Sequence, residues 1–184
     1  DGLSGLNEKR SFGKGEIVRP FLNLPKSDLK FFVDLNELSY IEDDTNMNNE
    51  FDRNFLRNEI IPSLGERWSK LSERASFTSL TAKKKKQSLD FMLEKNFEKE
   101  ISLGILERTN FDNIPPFLIE ELIRLILRKR NIAAPNQKVL SEIMNVFFHK
   151  KPSKESCVEW SRKDGEQAGG KVYCEHNDII FQKK

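Results

Sequence analysis

The first apolar stretch of the chain, Glu16-Ile17-Val18-Arg19-Pro20-Phe21-Leu22, predicts a short strand ended by proline. Pro25-Lys26-Ser27-Asp28 then opens a helix to Leu38, with Leu29, Phe32 and Val33 at the i, i+3, i+4 spacing of one buried face. Tyr40-Ile41 reads as a brief extended segment. Polar residues take over in Glu42–Asn49, where acids, amides and turn formers require a loop. Asn48 or Asn49 is placed to cap a helix over Glu50–Glu59, with Phe55, Leu56 and Ile60 turned inward. Pro62 marks its end and suits the first turn of a short helix, Ser63–Trp68.

No Pro or Gly interrupts Ser69–Glu98, so one long helix is expected there. Leu71, Ala75, Thr78, Ala82, Leu89, Met92, Leu93 and Phe97 trace its apolar stripe. A β or irregular segment, Ile101–Leu106, leads to the helix start Asn113-Ile114-Pro115-Pro116. The helix Pro116–Arg130, with Phe117, Leu118, Leu122, Ile123, Leu125, Ile126 and Leu127, is too apolar to be exposed, and its final cations suit a helix C-terminus. A further helix, with Asn136 or Ser141 near its start, runs to His149 and turns Val139, Leu140, Ile143, Met144, Phe147 and Phe148 inward. The rhythm then changes to two. Cys157–Trp160, Lys171–Glu175 and Asp178–Gln182 alternate as strands, and His176-Asn177 makes a tight hairpin. The C-terminal half is therefore helical and closed by a small antiparallel sheet. No internal repeat is present.

Composition narrows the class. The chain has 184 residues, 33% charged and 37% hydrophobic, with only 9 Gly and 7 Pro, which excludes collagen-like, low-complexity and wholly disordered chains. No apolar run approaches the ~18 residues of a membrane span, and the N-terminus lacks the form of a secretory signal. It starts at Asp1, as a fragment would. Two cysteines, Cys157 and Cys174, make no disulfide framework and favour a reducing, cytoplasmic compartment. The net charge of +2 is unevenly spread. Residues 1–66 hold 8 basic and 13 acidic residues, whereas residues 67–184 hold 23 and 16. Such basicity permits a phosphate-backbone partner without demanding one. The run Lys83–Lys86 points in nearly all directions from its helix, as a solvated segment or an RNA contact would.

No Walker loop or dinucleotide fingerprint occurs, and Gly13-Lys14-Gly15 and Gly169-Gly170-Lys171 read as turns. His149, His176, Cys157 and Cys174 lack structural-zinc spacing, and no nucleophile triad can be argued. The distinctive segment starts at Glu42, where an acid- and amide-rich loop runs straight into a helix bearing Arg53, Asn54 and Arg57. Arg53 and Arg57 are i and i+4, so two forked cations share one helix face and suit a phosphate or pyrophosphate. Alternatively they pair with Glu42, Asp43, Asp44 or Asp52 and pin the loop.

Val18-Arg19-Pro20-Phe21-Leu22, Ile41-Glu42-Asp43-Asp44-Thr45-Asn46, Asp52-Arg53-Asn54-x-x-Arg57 and Ile61-Pro62, in this order, resemble the bacterial tRNA(Ile)-lysidine synthetase family. Gly2-Leu3-Ser4-Gly5-Leu6 is similar to the segment after that family's HxxDDQxET helix. A weaker resemblance continues through the Pro115-Pro116 helix to Trp160, Val172-Tyr173 and Ile180-Phe181. It implies a fold that is mainly α with a small antiparallel sheet: the C-terminal tail of an α/β PP-loop ATPase domain (1–68), a long connecting helix (69–98) and a helical α+β tRNA-binding domain (99–184). The implied reaction uses ATP to adenylate carbon 2 of the first-anticodon-position cytidine of tRNA(Ile), after which the lysine amine displaces AMP. The family's Ser-Gly-Gly-x-Asp-Ser loop and HxxDD helix are missing here, so ATP and Mg2+ would be bound mainly by another part of the protein. This chain alone is expected to be inactive.

The resemblance places Arg57 and Arg53 in the cleft as electrostatic stabilisers, with Asn54 and Asn46 orienting the loop or substrate. Glu42 and Asp43 would hold that geometry or attract the lysine ammonium. Lys83, Lys84, Lys85, Lys86, Arg128, Lys129 and Arg130 would grip the tRNA backbone. The implied partners are tRNA(Ile), L-lysine and ATP, in the cytoplasm, with no membrane and room for a homodimer. Rival readings are an inert RNA-binding module, a tRNA thiolase and a helical protein-interaction domain. The thiolase is disfavoured by the isolation of the two cysteines. The interaction domain leaves Arg53-Asn54-x-x-Arg57 unexplained.

Overall fold

The structure, a computed structural model, describes residues 5–13, 15–153, 155–161 and 168–184. Residues 2–4 of the opening segment and Lys14 of the expected Gly13-Lys14-Gly15 turn lie outside them. The chain divides into two compact units, Asp1–Lys86 and Gln87–Lys184.

In the first unit, β1 (Lys9–Phe12) pairs antiparallel with β2 (Gly15–Val18), in a register that sets Lys9 opposite Val18. The strand expected over Glu16–Leu22 thus ends at Val18, before Pro20, and its partner β1 was not anticipated. Helix α1 (Lys26–Leu35) stops short of Leu38. The Asn36 side chain donates to the Phe32 carbonyl at 2.8 Å, and Glu37 takes a φ of 51°. Both features divert the chain from the helix. Leu29 and Val33 are half-buried, but Phe32 is exposed, contrary to the pattern. Tyr40-Ile41 forms no strand.

The Glu42–Asn49 loop contains one 3-10 turn, Asp44–Met47. Helix α2 (Asp52–Phe55) passes into a π segment, Leu56–Ile60, and then α3 (Ile61–Arg67) without a break. Pro62 stands in the first turn of α3, as expected, but no break precedes it. Pro62 has no N–H for the Asn58 carbonyl, and its ring would press on that carbonyl in an α-turn. Widening to a π turn, with the Ile61 N–H on the Leu56 carbonyl, relieves the clash. Phe51, not Asn48 or Asn49, occupies the cap position, without a side-chain bond.

Helix α4 (Leu71–Asn96) is the expected long helix, but Phe97 leaves helical geometry (φ −131°, ψ 35°) and a separate α5 (Glu98–Leu103) follows. Of the expected stripe only Leu93 is buried, and Met92 is exposed. Residues 101–103, expected within a β or irregular segment, are the end of α5. Gly104 closes that helix at φ 69°, where a Cβ would meet the Arg130 guanidinium at 2.7 Å.

The core of the second unit is built around α6 (Pro116–Lys129). Ile119, Leu122, Ile123, Leu125, Ile126 and Leu127 are all buried on it. Phe117, expected inside, is 66% exposed. It stands two residues before Ile119, about 160° round the helix from it. Asn136 caps α7 (Gln137–Ile143) by accepting from the Val139 N–H at 2.9 Å, and a π segment (Met144–His149) continues it. Phe97 stacks on Phe111, which meets Phe148 edge-on. The sheet has the order β3-β6-β5-β4, all antiparallel: β3 (Ile105–Glu107), β4 (Cys157–Trp160), β5 (Gly170–Glu175) and β6 (Asp178–Lys183). Glu175 faces Asp178, so His176-Asn177 is the two-residue turn expected, with His176 at φ 56°. Val158, Trp160, Val172, Cys174, Ile179 and Phe181 face inward. Gly169-Gly170-Lys171 is not a turn. Gly170 opens β5 beneath Trp160, in the space a Cβ would take, and the indole Nε1 donates to the Ala133 carbonyl at 2.6 Å.

Candidate functional site

The loop before α2 is held by amide side chains. Asp43 accepts from the Thr45 hydroxyl at 2.7 Å and the Thr45 N–H at 2.9 Å, which fixes the entry to the 3-10 turn. Asn54, 2% exposed, sends its Nδ2 to the carbonyls of Thr45 (2.8 Å) and Asn48 (2.9 Å). Asn58 Nδ2 reaches the Asn46 carbonyl (3.0 Å) and Asn49 Oδ1 (3.0 Å). Asn49 in turn donates to Glu59 Oε1 at 3.1 Å. Asn54 and Asn58 are i and i+4, so one side of the helix clamps the loop at two points. Their neighbours Phe55 and Leu56 are exposed, not inward as their hydrophobicity suggested. The face turned to the loop is taken by asparagines because loop carbonyls need donors.

Arg53 and Arg57 precede the two asparagines by one residue each and are exposed on the adjoining face. The Arg53 guanidinium carbon lies 5.8 Å from the centre of the Phe51 ring. Among the described residues neither arginine is in an ion pair, so the alternative of pairing with Glu42, Asp43, Asp44 or Asp52 is not what the structure holds. The two hydrogen bonds from Thr45 keep the Asp43 carboxyl below the usual carboxylate range, and the Arg53 charge adds a smaller effect of the same sign. Glu42 is exposed beside it, and Asn46 contributes its carbonyl to the clamp. The result is two unpaired, five-donor cations beside a loop of fixed shape. That arrangement can receive a phosphate-like anion.

The sequence reading brought Arg53, Asn54, Arg57 and the acidic loop into one neighbourhood, and the structure does the same. It gave Asn58 no role, took Asn48 and Asn49 only as cap candidates and named Thr45 only within the family motif. The signal was available in the i, i+4 spacing of Asn54 and Asn58 opposite an amide-rich loop. The other candidates lie apart from this site in the sequence. On α4, Lys84 and Lys85 are exposed and Lys83 and Lys86 half-buried. In the second unit Arg128 pairs with Asp90 (2.8 Å) and Lys129 with Glu94 (2.7 Å). Arg130 donates to the carbonyls of Ser102 (3.2 Å) and Leu103 (3.0 Å), satisfying the end of α5. Cys157 is exposed and Cys174 buried, both free. Among the described residues no three His, Cys, Asp or Glu side chains converge to hold a metal, and no helix is long and apolar enough to cross a membrane.

Residues 1–64 match the family model of the PP-loop domain. A tRNA(Ile)-lysidine synthase of Buchnera aphidicola subsp. Acyrthosiphon pisum is 36% identical over 138 residues, covering 74% of this chain and 31% of the relative. The tRNA(Ile)-lysidine synthase of Coxiella burnetii is 32% identical over 144 residues (78% and 32%), and that of Wigglesworthia glossinidia brevipalpis 33% over 158 (83% and 39%). The chain spans about a third of the length of the curated relatives it matches. The family-model match contains the clamp and its arginines, the likeness to tRNA(Ile)-lysidine synthases covers about three quarters or more of the chain, and by these the chain belongs to the tRNA(Ile)-lysidine synthase family.

Proposed function

We propose that this protein takes part in the ATP-dependent joining of lysine to the first-anticodon cytidine of tRNA(Ile), and that this chain supplies one wall of the reaction cleft and part of the tRNA grip. The observation that carries the reading is the pair Arg53 and Arg57, unpaired among the described residues and standing beside a loop clamped by Asn54 and Asn58. In this reading residues 1–68 are the C-terminal part of the PP-loop domain, 69–98 the connecting helix and 99–184 the tRNA-binding domain.

ATP, when bound, supplies the activation of the cytidine. Arg57 and Arg53 hold the negative charge that the reaction develops on phosphate oxygens, in a place fixed before the substrate arrives. Asn54 and Asn46 keep the loop in register with those arginines. Glu42 and Asp43 offer carboxylates to the ammonium of the incoming L-lysine, and Asp43 remains ionised well into the acid range. The two arginines fit an anion, and in this reading the Mg2+ that accompanies ATP is held mainly by another part of the protein. Lys83–Lys86 meet tRNA phosphates, and Arg128 and Lys129 do so where their ion pairs leave them exposed. The reaction belongs in the cytoplasm, where tRNA is modified.

The test is Arg57→Ala in the full-length protein. Lysidine formation should fall about 10²- to 10³-fold with the melting temperature unchanged, as expected for one lost pre-organised donor. Arg57→Lys should recover only part of it, because the fork is lost. Activity within twofold of wild type in a stable variant would remove Arg57 from the reaction.

A further inference from the structure

A second set of cations stands on the first unit with aromatic rings among them. Arg67 ends α3, and its guanidinium carbon lies 5.5 Å from the centre of the half-exposed Trp68 ring. Lys70 sits just before α4 and its carbonyl accepts the Arg74 N–H at 3.0 Å. Lys70, Glu73, Arg74, Phe77 and Thr78 line one open hollow. Phe77 is 71% exposed at its edge. At about 100° per residue, Arg74, Phe77, Thr78 and Lys85 fall on a single stripe of the helix. Among the described residues Arg67, Lys70 and Arg74 make no ion pair. The opposing carboxylates are Glu73 in the hollow and Glu66 next to Arg67.

An apolar protein face laid on these rings would have to bury three cations without partners, which is costly. A strand of unpaired nucleotides fits both features at once, since its phosphates neutralise the cations and every base offers a flat face to a ring. We propose that this face binds single-stranded or looped RNA, with Phe77 and Trp68 stacking on unpaired bases and Arg67, Lys70 and Arg74 contacting the adjacent phosphates. The inference rests on the RNA-binding half of the function proposed above. It adds a base-stacking surface that the phosphate contacts of Lys83–Lys86 do not provide.

The experiment uses the 184-residue chain and two RNA probes, a stem with a seven-nucleotide loop and a blunt duplex of the same composition. Wild type should prefer the stem-loop. Phe77→Ala should weaken stem-loop binding roughly 5- to 150-fold, the span for one lost stacked base, and leave duplex binding unchanged. Ala at this exposed helix position raises helix propensity, so the variant should fold. Arg74→Gln should lower the log–log salt slope for the stem-loop by about 0.7. Trp68 gives an independent signal: stem-loop RNA should quench tryptophan emission in wild type and not in Trp68→Phe. Equal affinity of wild type for loop and duplex would overturn the proposal, as would Phe77→Ala binding the loop within twofold of wild type. A fall in oligomeric mass in Phe77→Ala would assign the face to a second copy and overturn it too. Turnover is not read in these assays. Lost loop preference alongside intact lysidine formation therefore sinks only this inference, and loop preference without lysidine formation sinks only the proposed reaction.

Discussion

The two units of this chain differ in how their described residues are held, and in the reading proposed above the first is only part of a larger PP-loop domain. In Gln87–Lys184 lies every buried hydrophobic side chain among the described residues, and those of α6, α7 and the four-stranded sheet form one cluster. In Asp1–Lys86 the single buried residue among the described ones is Asn54, and Phe31, Phe32, Leu35 and Ile41 are exposed. Apolar burial of ~25 cal/mol per Å2 organises the second unit from its interior. The first is organised locally, by a hairpin and by side-chain amides that hand their donors to nearby carbonyls, at roughly 1 kcal/mol net per bond. A region held by short-range polar bonds keeps its binding groups at the surface. That is where the unpaired arginines stand.

The sharpest way to break this comparison is to cut the same side chain in both units. Phe147 is wholly buried, and Phe147→Ala should cost about 3–5 kcal/mol, read as a large fall in the denaturant midpoint. Phe32→Ala, 59% exposed on α1, should move it by less than about 0.5 kcal/mol. Similar losses from the two changes would mean that Phe32 is covered in solution by a contact absent among the described residues.

A smaller effect tests the polar half. Asn54→Ala leaves the Thr45 and Asn48 carbonyls without donors, at a cost of about 1–3 kcal/mol, towards the lower end because water can reach the loop. Asn54→Leu should be no better, since apolar volume cannot replace the two donors. Amide exchange should accelerate in residues 44–50 and stay unchanged across α6. Protection lost equally in both regions would show that the clamp holds more than its loop.

Legibility in the sequence followed the same division. Helix α6 was readable because six buried aliphatics within fourteen residues allow no other placement, and its start at Pro116 follows from proline's fixed φ. The alternation in β5 and β6 and the His176-Asn177 turn were equally plain, because a strand with one buried face must alternate. In the first unit the hydrophobic pattern misled. Phe32, Phe55 and Leu56 look inward by type, yet nothing among the described residues covers them, and pattern reports preference rather than partner. The π segment was hidden because Pro62 reads as a stop signal, while widening a turn serves as well as ending it. At the candidate site Arg53 and Arg57 stood out by their i, i+4 spacing, while the roles of Glu42 and Asp43 were given only by the family resemblance. The clamp could not be read, because asparagine donors to main-chain carbonyls depend on where a loop folds back, which no periodicity records.

The smallest expected effect concerns Asp43, whose Asx turn begins the clamped loop. Its carboxylate accepts both Thr45 donors and feels the Arg53 charge, so its folded pKa lies below the unfolded value of about 3.9. A depressed carboxyl pKa contributes stability that is fully present above the unfolded value and is lost as pH falls through the folded one. Loop geometry should therefore be flat from pH 7 to about 5 and change only below about 4. The Thr45 amide resonance reports this directly, and its titration midpoint should lie below that of an unstructured aspartate. Asp43→Asn keeps the acceptor oxygen and removes the charge. It should leave the turn formed and abolish the acid-side shift of the Thr45 amide. A midpoint at or above the ordinary aspartate value would mean that the Thr45 bonds do not persist in solution, and the first unit would then lack one of the local contacts that distinguish it from the second.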